Sequence, residues 1–578
     1  MTVMPITRHF TRSGYVGAAS GRTPELGGPA IKFPVSNFVR AILLGLIVAL
    51  AAASPARPQN ADTILVNGKI LTVDPQFSIR EAVAVRDGKL TAAGSNAEVR
   101  RQAGSHTRVI DLQGRTVIPG FIDSHIHAIR AGQTFTTEVN WVGATSIAEA
   151  MRRLHEASLS KKPGSWLIVA GGWNADQFQE KRRPRQADLV AAVPNNPVYV
   201  QLGYDWEVMT PLGFKAMGIN SEADLPRPGK FEKDAAGNPT GAIEDGGGFD
   251  VAIALFEKLP HPNFDEPVEG EKKFFREMNR LGVTGVGDPG GNNLSPENYQ
   301  PIFKVWRQHQ MTVRIAYSLC GPTPGKEFEE LKNLTQMLPQ SFGDDMLKFN
   351  GIGERVTWGM NNNDHPTVED QEKYYQIVRW AAQRGMPVTM HWNNDASANT
   401  LLSIYERVNA EFPIAGLRWS VAHLTDASPE NLRRMKAMGV GWTIQRPSAA
   451  AVENAKELNI TMGAGTDAHR VASYNPFTTL AWLLVNSKKM GPHPRGPEQT
   501  PTREDALRAY TIGSAWFSFD EDKRGSLEVG KLADLAVLTK DYMTVPLDQL
   551  ESIESVLTMV GGKIVYAAGP YVKLEGPK

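Results

Sequence analysis

Val117-Ile118-Pro119-Gly120-Phe121-Ile122-Asp123-Ser124-His125-Ile126-His127 is a short apolar run that closes on two histidines one residue apart. Side chains on a strand repeat every second residue, so both imidazoles can point the same way. In a parallel barrel the C-terminal ends of the strands carry function, and a pair aimed inward there can grip one cation from adjacent angles. His-x-His alone is a weak signal, and the rest of the chain has to decide it.

Working outward, further strand-like segments fall at Val283–Asp288, Thr312–Ser318, Met346–Glu354, Pro387–His391, Arg418–His423, Val440–Gln445 and Ile460–Asp467. With the opening strand they make eight, and helical patterns separate them. Two of those helices carry start signals: Thr367-x-x-Asp370 resembles a capping box, and Ser428-Pro429 places a cap donor before a first-turn proline. Strand and helix alternating to that count predict an α/β chain with a (β/α)8 TIM-like barrel over residues 117–517. A doubly wound sheet is the alternative.

Residues 150–260 break the alternation with an early helix and Pro/Gly-rich β-like pieces, Trp166–Trp173 and Pro197–Leu202. A structureless loop of that length is uncommon in a compact domain. The stretch therefore reads as a subdomain inserted after strand one, overhanging the active face. Residues 61–116 and 518–578 read as short strands joined by turns such as Asn67-Gly68 and Asp87-Gly88, and the two ends together predict one small split β-sandwich domain.

Composition narrows the class. Lys+Arg and Asp+Glu are equal at 62 each, so no net field draws in nucleic acid. Cys320 is the only cysteine, which excludes an internal disulfide and Cys-rich zinc modules, so any metal must use His and carboxylate ligands. After Arg40, the apolar run Ala41–Ala53 has about the length of a signal-peptide core and is short for a membrane span. Residues 1–60 are thus expected to be a leader, giving an exported, periplasmic protein without stable membrane association once processed. An uncleaved, membrane-anchored form is the alternative. Oligomeric state is left open, a homodimer included.

Of twelve histidines, His125, His127, His391 and His423 end predicted strands, and Asp467 ends the eighth. The plainer reading, satisfied core histidines, would have to hold four separate times. Neutral imidazoles and a carboxylate suit a divalent transition metal such as zinc. Asp467, placed to touch both metal and solvent, is the first choice for the catalytic base.

These motifs resemble the amidohydrolase superfamily, and within it amidohydrolase family 3, whose members include N-substituted formamide deformylases. The resemblance runs from Ala61 to Tyr566 and takes in Gly171-Gly172-Trp173, Pro239–Ala242, Ala506–Ala515 and Gly530–Asp534. It implies His125 and His127 on a first metal, His391 and His423 on the same or a second ion, and Asp467 as ligand and base. His423 counts as catalytic too, as the histidine that helps the metal stabilise the oxyanion. Two departures stand out. Many members carry a carboxylated, metal-bridging lysine on strand four, whereas this strand ends Ile352-Gly353-Glu354, with Lys348 too deep to reach the mouth. Either Glu354 bridges two ions, or the site holds one and Glu354 is an ordinary carboxylate. In the insertion, Asp205 falls where the branch usually shows a histidine.

The expected substrate is a small molecule, cleaved at a non-peptide carbon–nitrogen bond of an amide, formamide or cyclic amide. Ester, lactone or phosphoester hydrolysis by the same site, or a non-catalytic exported binding protein on the same fold, are the alternatives. Candidate substrate contacts are Asp205, Trp173, His469 and Arg470, with Trp358 and Trp392 as further pocket aromatics. Asp395 could orient a ligating histidine or cap the next helix. Cys320 reads as inert.

Overall fold

Gly120 divides the opening run in two. Thr116–Pro119 pairs antiparallel with Leu535–Leu538, while Phe121–Asp123 pairs parallel with Val283–Asp288. A Cβ on Gly120 would sit 2.2 Å from Thr284 Cγ2, so the crossing between the two layers has room only for glycine. The run that reads as one strand is therefore two, and the barrel begins at Phe121. The computed structural model describes residues 60–575 apart from 245–249, 261, 292–293, 362, 393 and 485–500. The apolar run Ala41–Ala53 lies outside them. Among the described residues, no helix is long and apolar enough to cross a membrane.

The barrel strands are β1 (Phe121–Asp123), β2 (Val283–Asp288), β3 (Arg314–Leu319), β4 (Leu347–Ile352), β5 (Thr389–His391), β6 (Ser420–Ala422), β7 (Gly441–Ile444) and β8 (Met462–Ala464). β1 to β4 form one parallel sheet and β5 to β8 another. An Ile352–Val388 bridge joins the two halves on one side. On the other, Ser124 N donates to Ala464 O at 3.0 Å and Asp467 N to His125 O at 2.8 Å. The chain is thus the TIM-type α/β barrel that the alternation predicts. Its helices start as the sequence indicates: Thr367 and Asp370 form a reciprocal capping box, and Ser428 Oγ accepts from Asn431 N at 3.2 Å with Pro429 in the first turn.

Strands from both chain ends share one six-stranded sheet, in which Leu535–Leu538 lies between Thr116–Pro119 and Ser555–Val560. A four-stranded sheet of Thr63–Val66, Ala82–Arg86, Lys89–Gly94 and Arg108–Asp111 accompanies it. The insertion is a five-stranded sheet running from Lys230–Lys233 through Pro239–Glu244, Trp206–Met209 and Val198–Leu202 to Leu167–Val169. Val139 N donates to Ile168 O at 2.7 Å, so this layer draws in the chain from about Glu138 onward. Apolar clusters cover both faces, one built on Trp141, Trp173 and Phe178, the other on Tyr199, Ile243 and Leu255.

Lys348 points away from the barrel mouth. Its Nζ donates to Asp520 Oδ1 at 2.6 Å and Ser518 O at 2.7 Å, and Arg524 Nη2 meets Asp520 Oδ2 at 2.8 Å. Burial pushes the Asp520 carboxyl up, but Arg524 and Lys348 outweigh it and hold it down to about 2. That lies below the ~3.9 of an unfolded chain, so the stabilisation is present at neutral pH and is lost as pH falls through about 2. Asp520→Asn strands two buried cations and is expected to cost about 3–5 kcal/mol in urea unfolding. A loss under about 1 kcal/mol would contradict this account of the barrel floor.

Candidate metal centre

The loop after β1 is shaped by Asp123. Its carboxylate accepts from His125 N at 3.0 Å and from Thr466 Oγ1 at 2.7 Å, tying the β1 loop to the β8 loop. Burial pushes this carboxyl up to about 7. His125 and His127 lie just past β1, and His127 is the residue before the helix Ala128–Thr134. The His127 Nδ1 donates to Gly290 O at 2.6 Å, which leaves its Nε2 lone pair facing the centre. His391 is the last residue of β5, and His423 follows β6. His423 and Asp467 take φ values of 64° and 58°. That left-handed backbone is unfavourable for side-chain-bearing residues by roughly 1–2 kcal/mol each. It turns both side chains inward.

Glu354 stands in the middle. Its Oε1 contacts His391 Nδ1 and lies 2.9 Å from His423 Nε2 and 3.6 Å from His125 Nε2, while Oε2 lies 3.3 Å from His127 Nε2. Asp467 faces the same cluster, with Oδ1 3.3 Å from His127 Nε2 and Oδ2 3.6 Å from His423 Nδ1. Gly353 makes the placement of Glu354 possible, because a Cβ there would meet Thr389 Cγ2 at 2.2 Å. Burial alone would raise both carboxyls. The surrounding imidazoles win, with His391 foremost for Glu354 and His423 for Asp467, and hold both below the usual carboxylate range.

Three overlapping triads have ligand atoms within 4.8 Å of one another: His125 with His423 and Asp467, His125 with His127 and Glu354, and Glu354 with His391 and His423. His125 Nε2 and His391 Nε2 are buried without a hydrogen-bond partner. Orphaned buried nitrogens are costly, by roughly 1–3 kcal/mol each, unless something satisfies them. The four imidazoles and two carboxylates fit a divalent cation. The structure thus brings together all six residues named as ligands.

The candidate substrate contacts divide. Arg470 lines a cavity of about 790 Å3 at the barrel mouth, together with Arg130, Gln133, Tyr204, Phe256 and Leu294. His469 is buried with Nε2 3.2 Å from Glu138 Oε2. Trp173 does not line the cavity: it stacks on Phe178 in the core of the insertion and donates its indole N–H to Gln201 O at 2.8 Å. Asp205 is exposed at the turn between Val198–Leu202 and Trp206–Met209, and its neighbour Tyr204 lines the cavity instead. Among the described residues, Asp395 pairs with no histidine. It accepts from Ser428 N at 2.8 Å, while Asn394 caps the helix Asp395–Glu411. Trp358 lies under the Arg355 guanidinium, and Trp392 is buried. Cys320 is buried and donates Sγ–H to Gly291 O. Sequence reasoning gave no role to Asp123, Arg130 or Glu138. Asp123 had a signal, its position two residues before His125.

The amidohydrolase family model matches residues 108–566. The chain is 23% identical to an N-substituted formamide deformylase of Arthrobacter pascens, over 88% of this chain and 99% of the relative. Among solved structures, an uncharacterized metal-dependent hydrolase from Pyrococcus horikoshii OT3 superposes with a TM-score of 0.57 at 20% identity, covering 84% of this chain and 99% of that one. An adenosine deaminase from Xanthomonas campestris with bound zinc gives 0.52 at 14% identity, over 88% of this chain and 94% of that one.

Proposed function

The chain belongs to the amidohydrolase family, whose model matches residues 108–566, and from that premise we propose that it hydrolyses a non-peptide carbon–nitrogen bond of a small molecule, an amide, formamide or cyclic amide, and that Glu354 with the surrounding histidines would hold two divalent ions, zinc by the chemistry of the donors. One observation carries the two-ion reading: Glu354 turns Oε1 closest to His391 and His423, with His125 farther off at 3.6 Å, and Oε2 to His127. His125, His127, Asp467 and Glu354 would hold one ion, and Glu354, His391 and His423 the other. Imidazole and carboxylate donors suit zinc, and the deaminase that shares the fold carries zinc. Bound divalent ions supply Lewis acidity, acidifying water and polarising a carbonyl.

The chain's own groups supply the rest. Asp467 has its side chain 20% exposed against 10% for Glu354, so of the two carboxylates it is the one that can exchange a proton with substrate. It takes the proton of the attacking water and hands it to the departing nitrogen. His423, its two ring nitrogens divided between Glu354 and Asp467, has none left to donate to the carbonyl oxygen, so its part is to orient the Asp467 carboxylate against the ligand cluster. The formamide deformylase relative supports the choice of bond.

A matched panel of formamides, N-acyl amides, cyclic amides, esters and phosphoesters, read by amine or acid release from metal-loaded protein, tests this. Turnover of the amides or formamides is the expected result. Hydrolysis confined to esters or phosphoesters would overturn the bond assignment.

A further inference from the structure

Arg130 and Arg470 are buried cations whose acidic neighbours, Asp288 for Arg130 and Glu138 for Arg470, are not in direct contact with them. They are 7% and 8% exposed, yet among the described residues no carboxylate lies within 4 Å of either guanidinium. Arg130 Nε is buried with no hydrogen-bond partner. Arginine does not lose its proton in proteins, so neither side chain can escape the cost of burial by becoming neutral. Both line the cavity of about 790 Å3 at the mouth of the barrel. That volume is in the range of small-molecule sites.

Arg130 connects this cavity to the metal centre, although none of the six ligand residues lines it. A Cβ built on Gly291 would lie 2.8 Å from His127 Nδ1 and 3.6 Å from Arg130 Nη1, so the guanidinium stands close beside a ligand imidazole. Arg470 comes from the loop after β8, three residues past Asp467, and its guanidinium lies 3.6 Å over the Phe256 ring. Stacking on a flat ring holds the planar fork in one orientation. The nearby carboxylate Glu138 is already engaged by His469 and Thr134. The remaining wall is mixed: Ile253, Phe256, Pro267 and Leu294 give it an apolar side, while Gln133, Gln201, Asn298 and Glu257 give it a polar one.

Resting on the hydrolase reading above, we propose that this cavity selects substrates whose far end carries a carboxylate, held by the Arg130 and Arg470 guanidinium groups while the scissile carbon–nitrogen bond lies at the ligand cluster. Paired guanidinium forks match a carboxylate in shape and charge. An apolar spacer between carboxylate and amide fits the side of the wall formed by Ile253, Phe256, Pro267 and Leu294.

The test compares matched pairs on the metal-loaded full chain: the 4-nitroanilide of glutaric acid against that of valeric acid, and N-formyl-4-aminobutyrate against N-formylbutylamine. The expected result is a kcat/KM at least about 100-fold higher for the carboxylate member of at least one pair, corresponding to about 2.7 kcal/mol. Arg130→Gln and Arg470→Gln should each collapse that ratio toward one, chiefly through KM, with metal content per chain at the wild-type value. Arg470→Lys should recover part of the ratio. Glutarate binding by calorimetry supplies a readout without turnover, and it should weaken at least tenfold in both glutamine variants. Turnover of both members at equal rates, with the ratio unmoved by the variants, would overturn the carboxylate subsite and leave the hydrolase reading standing. Glutarate binding that depends on both arginines, with no amide turned over, would support the subsite and count against the hydrolase reading. If no amide is turned over and glutarate binds wild type no better than the variants, both fall.

Discussion

Asp467→Asn lowers kcat/KM on any hydrolysed amide by about 10²- to 10⁴-fold, the range that a positioned general acid–base group contributes. The substitution keeps side-chain volume, and the backbone bond from residue 467 N to His125 O at 2.8 Å does not depend on the carboxylate. The barrel should therefore remain closed between β8 and β1. What changes is the chemistry at the side chain 3.3 Å from His127 Nε2 and 3.6 Å from His423 Nδ1, where a proton acceptor becomes a neutral amide. The decisive comparison is steady-state kinetics of the variant beside its far-ultraviolet circular dichroism. Unchanged turnover would pass the role of base to another group, with Glu354 the other carboxylate of the ligand cluster.

Glu354→Gln has the other large effect. The carboxylate reaches His391 and His423 with one oxygen and His127 with the other. A neutral amide bridges two cations poorly, so metal content should drop from two ions per chain to one. Activity should fall by more than the ~10–100-fold that changes outside the ligand set typically cost. Glu354→Asp should recover little, because the shortened side chain no longer spans both histidine groups. A Glu354→Gln protein with full metal content and full turnover would reduce Glu354 to a structural carboxylate.

The ligand set was largely legible because the barrel makes it so. Strand ends are where the chain runs inward to the mouth, and His391, His423 and Asp467 fall at the ends of segments that periodicity already marks as strands. Glu354 was legible only through a resemblance, as the residue standing where a lysine was expected. Other features depend on what the fold brings near. Gly120 looks like a routine interruption in an apolar run, and only the close approach of Thr284 shows that it separates two layers. Trp173, in a Gly-Gly-Trp motif, invites a pocket reading, but an insertion with its own sheet needs its own core. Arg130 sits inside the helix Ala128–Thr134 and reads as an ordinary solvated arginine; its burial comes from neighbours distant in sequence.

The central claim is that Glu354 holds two divalent ions between the histidines of this barrel. Elemental mass spectrometry of the wild-type chain, stripped with chelator and then reconstituted and desalted, tests it most directly. Two metal equivalents per chain, with hydrolytic activity returning as they bind, is the result this account predicts. One equivalent would contradict the bridge, and none retained after reconstitution would contradict the metal-dependent hydrolase itself.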